Sequence, residues 1–94
     1  MRLEALEIDD HIEDKIASKH GVGFWEAEEA FFNEGLRLRK ARAGTYRLYS
    51  QIEAGRYLLL VAAYTGNGNW RLATARDMTQ TERRMYVGPR GVRP

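Results

Sequence analysis

The stretch Tyr57-Leu-Leu-Leu-Val-Ala-Ala-Tyr64-Thr-Gly-Asn-Gly-Asn-Trp70-Arg-Leu-Ala-Thr-Ala75 decides the fold. Its first eight residues are apolar without a break, as a central strand covered on both faces should be. Asn67-Gly68 is a strong hairpin signal, because a tight two-residue turn needs positive φ at both central positions. Beyond the turn, Trp70, Leu72 and Thr74 alternate with Arg71, Ala73 and Ala75, the period-two pattern of a half-buried strand. Two long antiparallel strands therefore stand at the centre of the domain.

Working back toward the N-terminus, the period stays at two as far as Gly35. Tyr46, Leu48, Ser50 and Ile52 alternate with Arg47, Tyr49 and Gln51, and Leu36 and Leu38 alternate with Arg37 and Arg39. These strands should carry a basic, aromatic outer face, which includes Tyr49. Ahead of Gly35 the period changes. Phe24 to Glu34 reads as a helix with Ala27, Ala30 and Phe31 on one face and Glu26, Glu28 and Glu29 largely outward. An earlier helix, capped by Asp9 or Asp10, buries Ile12 and Ile16 at i, i+4. It carries Lys19 and His20 at its negative end and stops at Gly21. Leu3 to Ile8 is a candidate short strand.

Working forward, Thr79-x-x-Glu82 is a capping box that opens a short helix through Arg83, Arg84 and Tyr86. The order is (β)ααββββα, and the fold class expected is α+β: two N-terminal helices packed on a four- to five-stranded, mostly antiparallel sheet, with a short C-terminal helix. Residues 1–87 should form a single domain and 88–94, which holds both prolines, a flexible tail.

The chain has 94 residues and 44% apolar content, enough for one domain with a thin core. The apolar run ending at Tyr64 is far shorter than the roughly 20 residues that span a bilayer, so no membrane role is expected. The opening Met1-Arg-Leu-Glu4 lacks a signal peptide's apolar stretch. With no cysteine there is no disulfide, thiol nucleophile or zinc-finger spacing. A cytoplasmic protein is the expectation.

The net charge of +2 hides a division. Residues 1–34 carry ten acids against three bases, a net of −7. Residues 35–94 carry twelve bases against Glu53, Asp77 and Glu82, a net of +9, and eleven of the twelve are arginine. Arginine's planar fork suits bidentate phosphate contacts, so the second half reads as a surface for a polyanion. The competing reading is a solvated basic sheet.

Catalytic constellations of other kinds fail on spacing. His11 and His20 are nine apart on one helix and cannot share an ion, and the acids show no metal-ligand spacing, so neither a metal nor another cofactor is expected. Ser18 and Ser50 lack a nucleophile-elbow setting. Gly21-x-Gly23 and Gly66-x-Gly68 lack the rest of a nucleotide loop. What remains is arginine interleaved with aromatics: Arg47, Tyr49, Arg56, Tyr57, Arg71, Arg76, Arg83, Arg84 and Tyr86. Aromatic faces stack on unpaired bases while guanidinium groups hold phosphates, a combination suited to single-stranded RNA. Tyr46, Tyr57, Tyr64 and Trp70 are assigned to packing, and Arg76 and Tyr86 to a functional surface. His20 is a helix C-terminal cation that could also contact RNA.

Three motifs carry a family resemblance: Lys19-His20-Gly21-Val22 followed by Glu26-Ala27; Gly55-Arg-Tyr-Leu-Leu-Leu-Val61; and Arg71-x-x-Thr-Ala-Arg76-Asp-Met-Thr79-x-x-Glu82-Arg-Arg-x-Tyr86. Together they resemble the BrnT family of bacterial toxins over about residues 6–87, most specifically in the last block. The resemblance implies a RelE-like fold and a ribonuclease that arrests translation. It also implies neutralisation by a ribbon-helix-helix antitoxin encoded alongside, with two toxins on one antitoxin dimer. Two positions depart from the family pattern: Leu6-Glu7-Ile8-Asp9 replaces an aromatic-x-Trp-Asp opening, and Thr74 replaces a serine.

The mechanism implied is metal-independent cleavage by the RNA's own 2′-hydroxyl. Arg76 would hold the phosphate, helped by Arg71 and Arg47, and Tyr86 would move a proton. Lys19, His20, Arg56, Arg83 and Arg84 would contact the rest of the RNA. An arginine cannot be the base. A phenol, with an ordinary pKa of ~10, is a slow one unless arginines lower it, which fits a substrate positioned by the ribosome. A non-catalytic RNA- or protein-binding module on the same basic sheet is the alternative.

Overall fold

The structure, a computed structural model, describes residues 2–88. The expected tail lies, apart from Gly88, outside them. Eight elements follow one another: β1 (Ala5–Glu7), α1 (Asp10–His20), α2 (Phe24–Phe32), β2 (Arg37–Lys40), β3 (Thr45–Gln51), β4 (Tyr57–Gly66), β5 (Asn69–Asp77) and α3 (Gln80–Val87). The class is α+β, as the sequence periods indicate. The five strands form one sheet in the order β1-β5-β4-β3-β2, parallel only between β1 and β5.

Local chemistry sets the boundaries. Gly21 takes φ +63° at the end of α1, and its N–H returns to Ala17 O, the left-handed stop that a side chain would strain. Asp9 occupies the N-cap of α1 but makes no side-chain cap bond, so Asp10 and Glu13 favour that end through the helix dipole. α2 ends at Phe32, two residues before the expected Glu34. Asn33 is the reason: its side chain donates to Gln51 O at 3.0 Å and accepts from Gly35 N at 2.7 Å, tying the chain to β3. The β4–β5 turn has φ +54° at Asn67 and +80° at Gly68, as the Asn-Gly signal requires.

Both faces of the sheet are used. On one, α1 packs over β5 and α2 over β3 and β4. The main core lies between, built from Ile16, Val22, Ala27, Ala30, Phe31, Leu48, Leu58, Leu60, Trp70 and Leu72. Trp70 anchors it, with its ring edge-on to Phe31 and Tyr46 and its indole N–H donating to Arg2 O at 2.9 Å. Burying side chains of this size contributes roughly 1.5–3 kcal/mol each. On the opposite face α3 covers a smaller cluster of Tyr49, Leu59, Met78 and Tyr86. Tyr49, expected on the outer face, is therefore buried. It does point away from α1 and α2, but α3 closes over it.

A β-bulge decides where β5 points. Ala62 pairs with Leu72 and Val61 with Thr74, so Ala73 has no partner across the strand. A one-residue slip reverses the side-chain phase. Trp70 and Leu72 face the main core before the bulge, and Ala75 faces it after. Thr74, expected to share a face with Trp70, instead turns to the α3 side together with Arg76.

Candidate nucleic-acid interface

The α3-side face is a ladder of cross-strand rows. Arg37, Tyr49, Leu59 and Arg76 form one row; Arg39, Arg47, Val61 and Thr74 form the next. α3 covers only the first. The second lies open, and beyond it Ala63 pairs with Arg71, whose guanidinium meets Glu7 at 2.8 Å.

The arginines on and around this face divide by partner. Arg76 is held in a fork: Nη1 and Nη2 donate to the two carboxylate oxygens of Glu82 at 2.8 and 3.0 Å, and Nη1 also reaches Asp77 O. Glu82 is the capping-box acid as well, with Oε1 accepting from Thr79 N at 2.8 Å. One carboxylate thus orders the helix terminus and the arginine together. The Arg76 fork holds the Glu82 carboxyl below its ordinary value, and the carboxylate in turn raises Arg76. Arg37 lies over the Tyr86 ring at 5.5 Å and Arg83 over the Tyr57 ring at 4.3 Å. Arg39, Lys40, Arg42 and Arg47 differ from these. Around the β2–β3 turn they line a shallow hollow of about 380 Å³, and none has a carboxylate within ion-pair distance among the described residues. Four uncompensated cations at one corner, two of them (Arg39 and Arg47) in the open row, favour an anionic ligand.

A second hollow of about 330 Å³ runs between β2 and α3, lined by Arg37, Leu38, Arg39, Tyr49, Glu82, Met85 and Tyr86. It joins the free edge of β2 to the Arg76–Glu82 pair. No known family profile and no curated protein sequence matches the chain. Among solved structures, the ribonuclease toxin BrnT of Brucella abortus superposes with a TM-score of 0.67, over 81% of this chain and 97% of that one, at 13% identity. The fold is the BrnT fold. The likeness that the sequence motifs carry is thus present in the backbone, with helices and strands in a shared arrangement.

Within this BrnT-like frame the motif residues fall into two groups. Arg76, Glu82 and Tyr86 come together beneath and beside α3, with Arg71 and Arg47 on the same sheet face. Tyr86 requires a correction. It was expected at the surface but is 3% exposed, and its hydroxyl donates to Gly35 O at 2.7 Å. Residue 86 turns inward because α3 folds back over Tyr49 and Leu59. Arg83 and Arg84 are exposed on the outside of the same helix.

The second group lies elsewhere. Lys19 and His20 end α1 on the other side of the sheet from α3. Arg56, expected among the RNA contacts, has every guanidinium N–H inside the protein: Nε and Nη2 on Asp77, Nη1 on Glu26 and Gly21 O, and Nη2 on His20 O. The motifs Lys19-His20-Gly21-Val22, Gly55-Arg56-Tyr57 and Arg76-Asp77 therefore meet in one clamp. The clamp fastens the α1–α2 turn to β4 and β5. Asp77 lies below its ordinary value because Arg56 bonds to it; Glu26 is lowered first by the Gly23 N–H and then by Arg56.

Arg37 and Glu82 belong to this site without having been singled out from the sequence, whereas Tyr49 was singled out but on an open face rather than beneath α3. The signal for Glu82 was present but already explained, because a capping-box glutamate needs no second role. The signal for Arg37 was its place in the alternation, one strand from Tyr49.

Proposed function

We propose that this chain is the toxin of a type II toxin–antitoxin pair and that it cleaves RNA to inhibit translation. The observation that carries the reading is the acid-free group Arg39, Lys40, Arg42 and Arg47, continuous with the sheet face that holds Arg76, on a fold shared with a ribonuclease toxin.

The chemistry this face suits is attack by an RNA 2′-hydroxyl on the adjacent phosphorus. The P–O5′ bond breaks, and a 2′,3′-cyclic phosphate and a 5′-hydroxyl are left. Arg47 and the turn cations hold the RNA backbone, and Arg71 extends the contact. Arg76 stabilises the charge that develops on phosphorus, exchanging one Glu82 oxygen for a phosphate oxygen as RNA enters. The guanidinium then keeps its geometry while its counter-ion changes. Proton transfer by Tyr86 requires its hydroxyl to leave Gly35 O, so this step is coupled to a shift of α3.

The antitoxin reading follows from the same charge. A free domain whose second half carries a net charge of +9 would bind RNA without discrimination, and a partner that covers the surface supplies control. A ribbon-helix-helix dimer carrying an acidic, partly apolar segment fits it, with two toxins on one dimer.

A second reading, a non-catalytic RNA-binding module, is favoured by two specific features: Arg76 is already ion-paired and Tyr86 already buried. Induced expression with and without the neighbouring gene, scored by growth and by RNA cleavage in EDTA, separates the two. A ribonuclease arrests growth, cleaves RNA in EDTA and loses about 10²-fold in rate on Arg76→Ala. A binding module retains RNA but cleaves none, and that result would overturn the enzyme reading.

A further inference from the structure

The acidic half of the chain presents a surface that the RNA reading does not use. α2 has two stripes. Ala27, Ala30 and Phe31 face the sheet, while Trp25, Glu28, Glu29 and Phe32, spaced i, i+3, i+4, i+7, share the outer side. Trp25 is 76% exposed and Phe32 50%, the two most exposed large apolar side chains among the described residues. With Asn33 and Glu53 this stripe lines a shallow hollow. One exposed aromatic needs no explanation, but two on one stripe with carboxylates between them form a patch.

The structure also contains the patch's complement. Arg39, Lys40, Arg42 and Arg47 of the β2–β3 hairpin have no acidic partner among the described residues. Both features belong to the β2 border of the sheet, but at opposite ends of it. The stripe's hollow reaches Asn33 and Glu53 beside the end of β3, and the hairpin turn lies ahead of Thr45 at its start. A twofold that runs the two borders antiparallel therefore sets each stripe against the partner's hairpin. α2 packs on β3 and β4, at the β2 end of the sheet, and runs through Asn33–Leu36 directly into the edge strand β2. Pairing of β2 against β2 would set Arg37, Arg39 and Lys40 opposite like charges, which disfavours a continuous sheet. A rotation about this border that offsets the two hairpins onto the helices does the reverse.

We infer that the outer face of α2 binds a second copy of this chain, in a twofold dimer where each Trp25–Phe32 stripe receives the partner's β2–β3 hairpin. A guanidinium stacked on Trp25 and flanked by Glu28 and Glu29 gains both a cation–π contact and charge pairing. Twofold symmetry makes the contact twice, which a small interface needs. The inference is independent of RNA cleavage, but the hairpin cannot serve a second copy and a polyanion at once.

Sedimentation velocity on the full chain, over a range of loading concentrations at low and high salt, tests it. The expected result is a monomer–dimer equilibrium that salt weakens. Trp25→Ala and Arg42→Glu should each raise the dissociation constant about tenfold or more. Both positions are exposed, and circular dichroism confirms that the variants fold. An equimolar mixture of the two variants retains one intact contact of the two, so it should associate more tightly than either alone. A wild-type chain that stays monomeric throughout overturns the inference, as does a dimer indifferent to both substitutions or a mixture no tighter than its components. If the chain is monomeric and Trp25→Ala instead releases a co-expressed protein partner, the face belongs to that partner and the inference fails.

Discussion

Arg56→Ala separates a structural arginine from an RNA contact. The Arg56 side chain is 27% exposed, and its guanidinium bonds to two carboxylates and two backbone carbonyls. Its carboxylate partners are one-third to over one-half exposed, so each ion pair is screened and contributes less than about 1 kcal/mol. The bond to Gly21 O holds a helix terminus and contributes about another 1 kcal/mol. Water replaces part of what is lost at the carbonyls. The net expectation is about 2 kcal/mol, which in a domain of this size lowers Tm by roughly 8–16 °C. Differential scanning fluorimetry reads the shift. Arg56→Lys keeps the charge but not the fork and should recover less than half of it.

The loss also depends on pH. Asp77 and Glu26 lie below their ordinary values of 3.8 and 4.5 in the folded protein. Their share of the clamp is complete above those values and disappears as pH falls through the lowered ones. The gap in Tm between wild type and Arg56→Ala should therefore narrow below about pH 4. RNA affinity, measured below both melting points, should be unchanged. A variant with wild-type Tm and weakened RNA binding would refute the clamp and return Arg56 to the RNA surface.

Tyr86→Phe removes a buried hydroxyl and leaves Gly35 O without its donor, so a loss of about 1–2 kcal/mol in urea unfolding is expected regardless of any effect on activity. At Gly68, φ is +80° and an added Cβ would lie 2.8 Å from Glu4 Cγ, so Gly68→Ala should cost at least ~1 kcal/mol and loosen β1, which hydrogen exchange at Glu4 and Ala5 would report. Binding to single-stranded RNA should fall with salt at a log–log slope near −3, from about four phosphates neutralised by the hairpin cations; titration by fluorescence anisotropy checks it, and Arg42→Ala should flatten the slope by about 0.7.

What could be read from the sequence was what depends on near neighbours. Gly21, Thr79-x-x-Glu82 and Asn67-Gly68 each act within a few residues, and the elements begin and end at them. The alternation in β3 and the apolar run of β4 likewise reflect local burial. Tyr49 and Tyr86 were misplaced because their burial depends on each other: each is covered only once α3 has folded over the sheet, and residues so far apart leave no joint pattern in the chain. The Arg56 clamp escaped for the same reason, since its partners come from positions 20–26 and 77. Arg76 was singled out from its motif, but its pairing with Glu82 required knowing that β5 changes phase.

That change of phase divides β5 into two halves with opposite obligations. Trp70 and Leu72 answer to the main core, while Thr74 and Arg76 answer to the opposite face, and Ala73 is the joint between them. Ala73 is exposed and touches neither cluster, so its side chain carries little information; its presence carries a great deal. Exchanging it for another small residue leaves every contact in place. Deleting it would return Arg76 to the helical side of the sheet and set Ala75 against α3, without altering the chemistry of any remaining residue. For this strand, length is inherited more strictly than composition, and insertions or deletions here are expected to be far rarer than substitutions in any functional library of the protein.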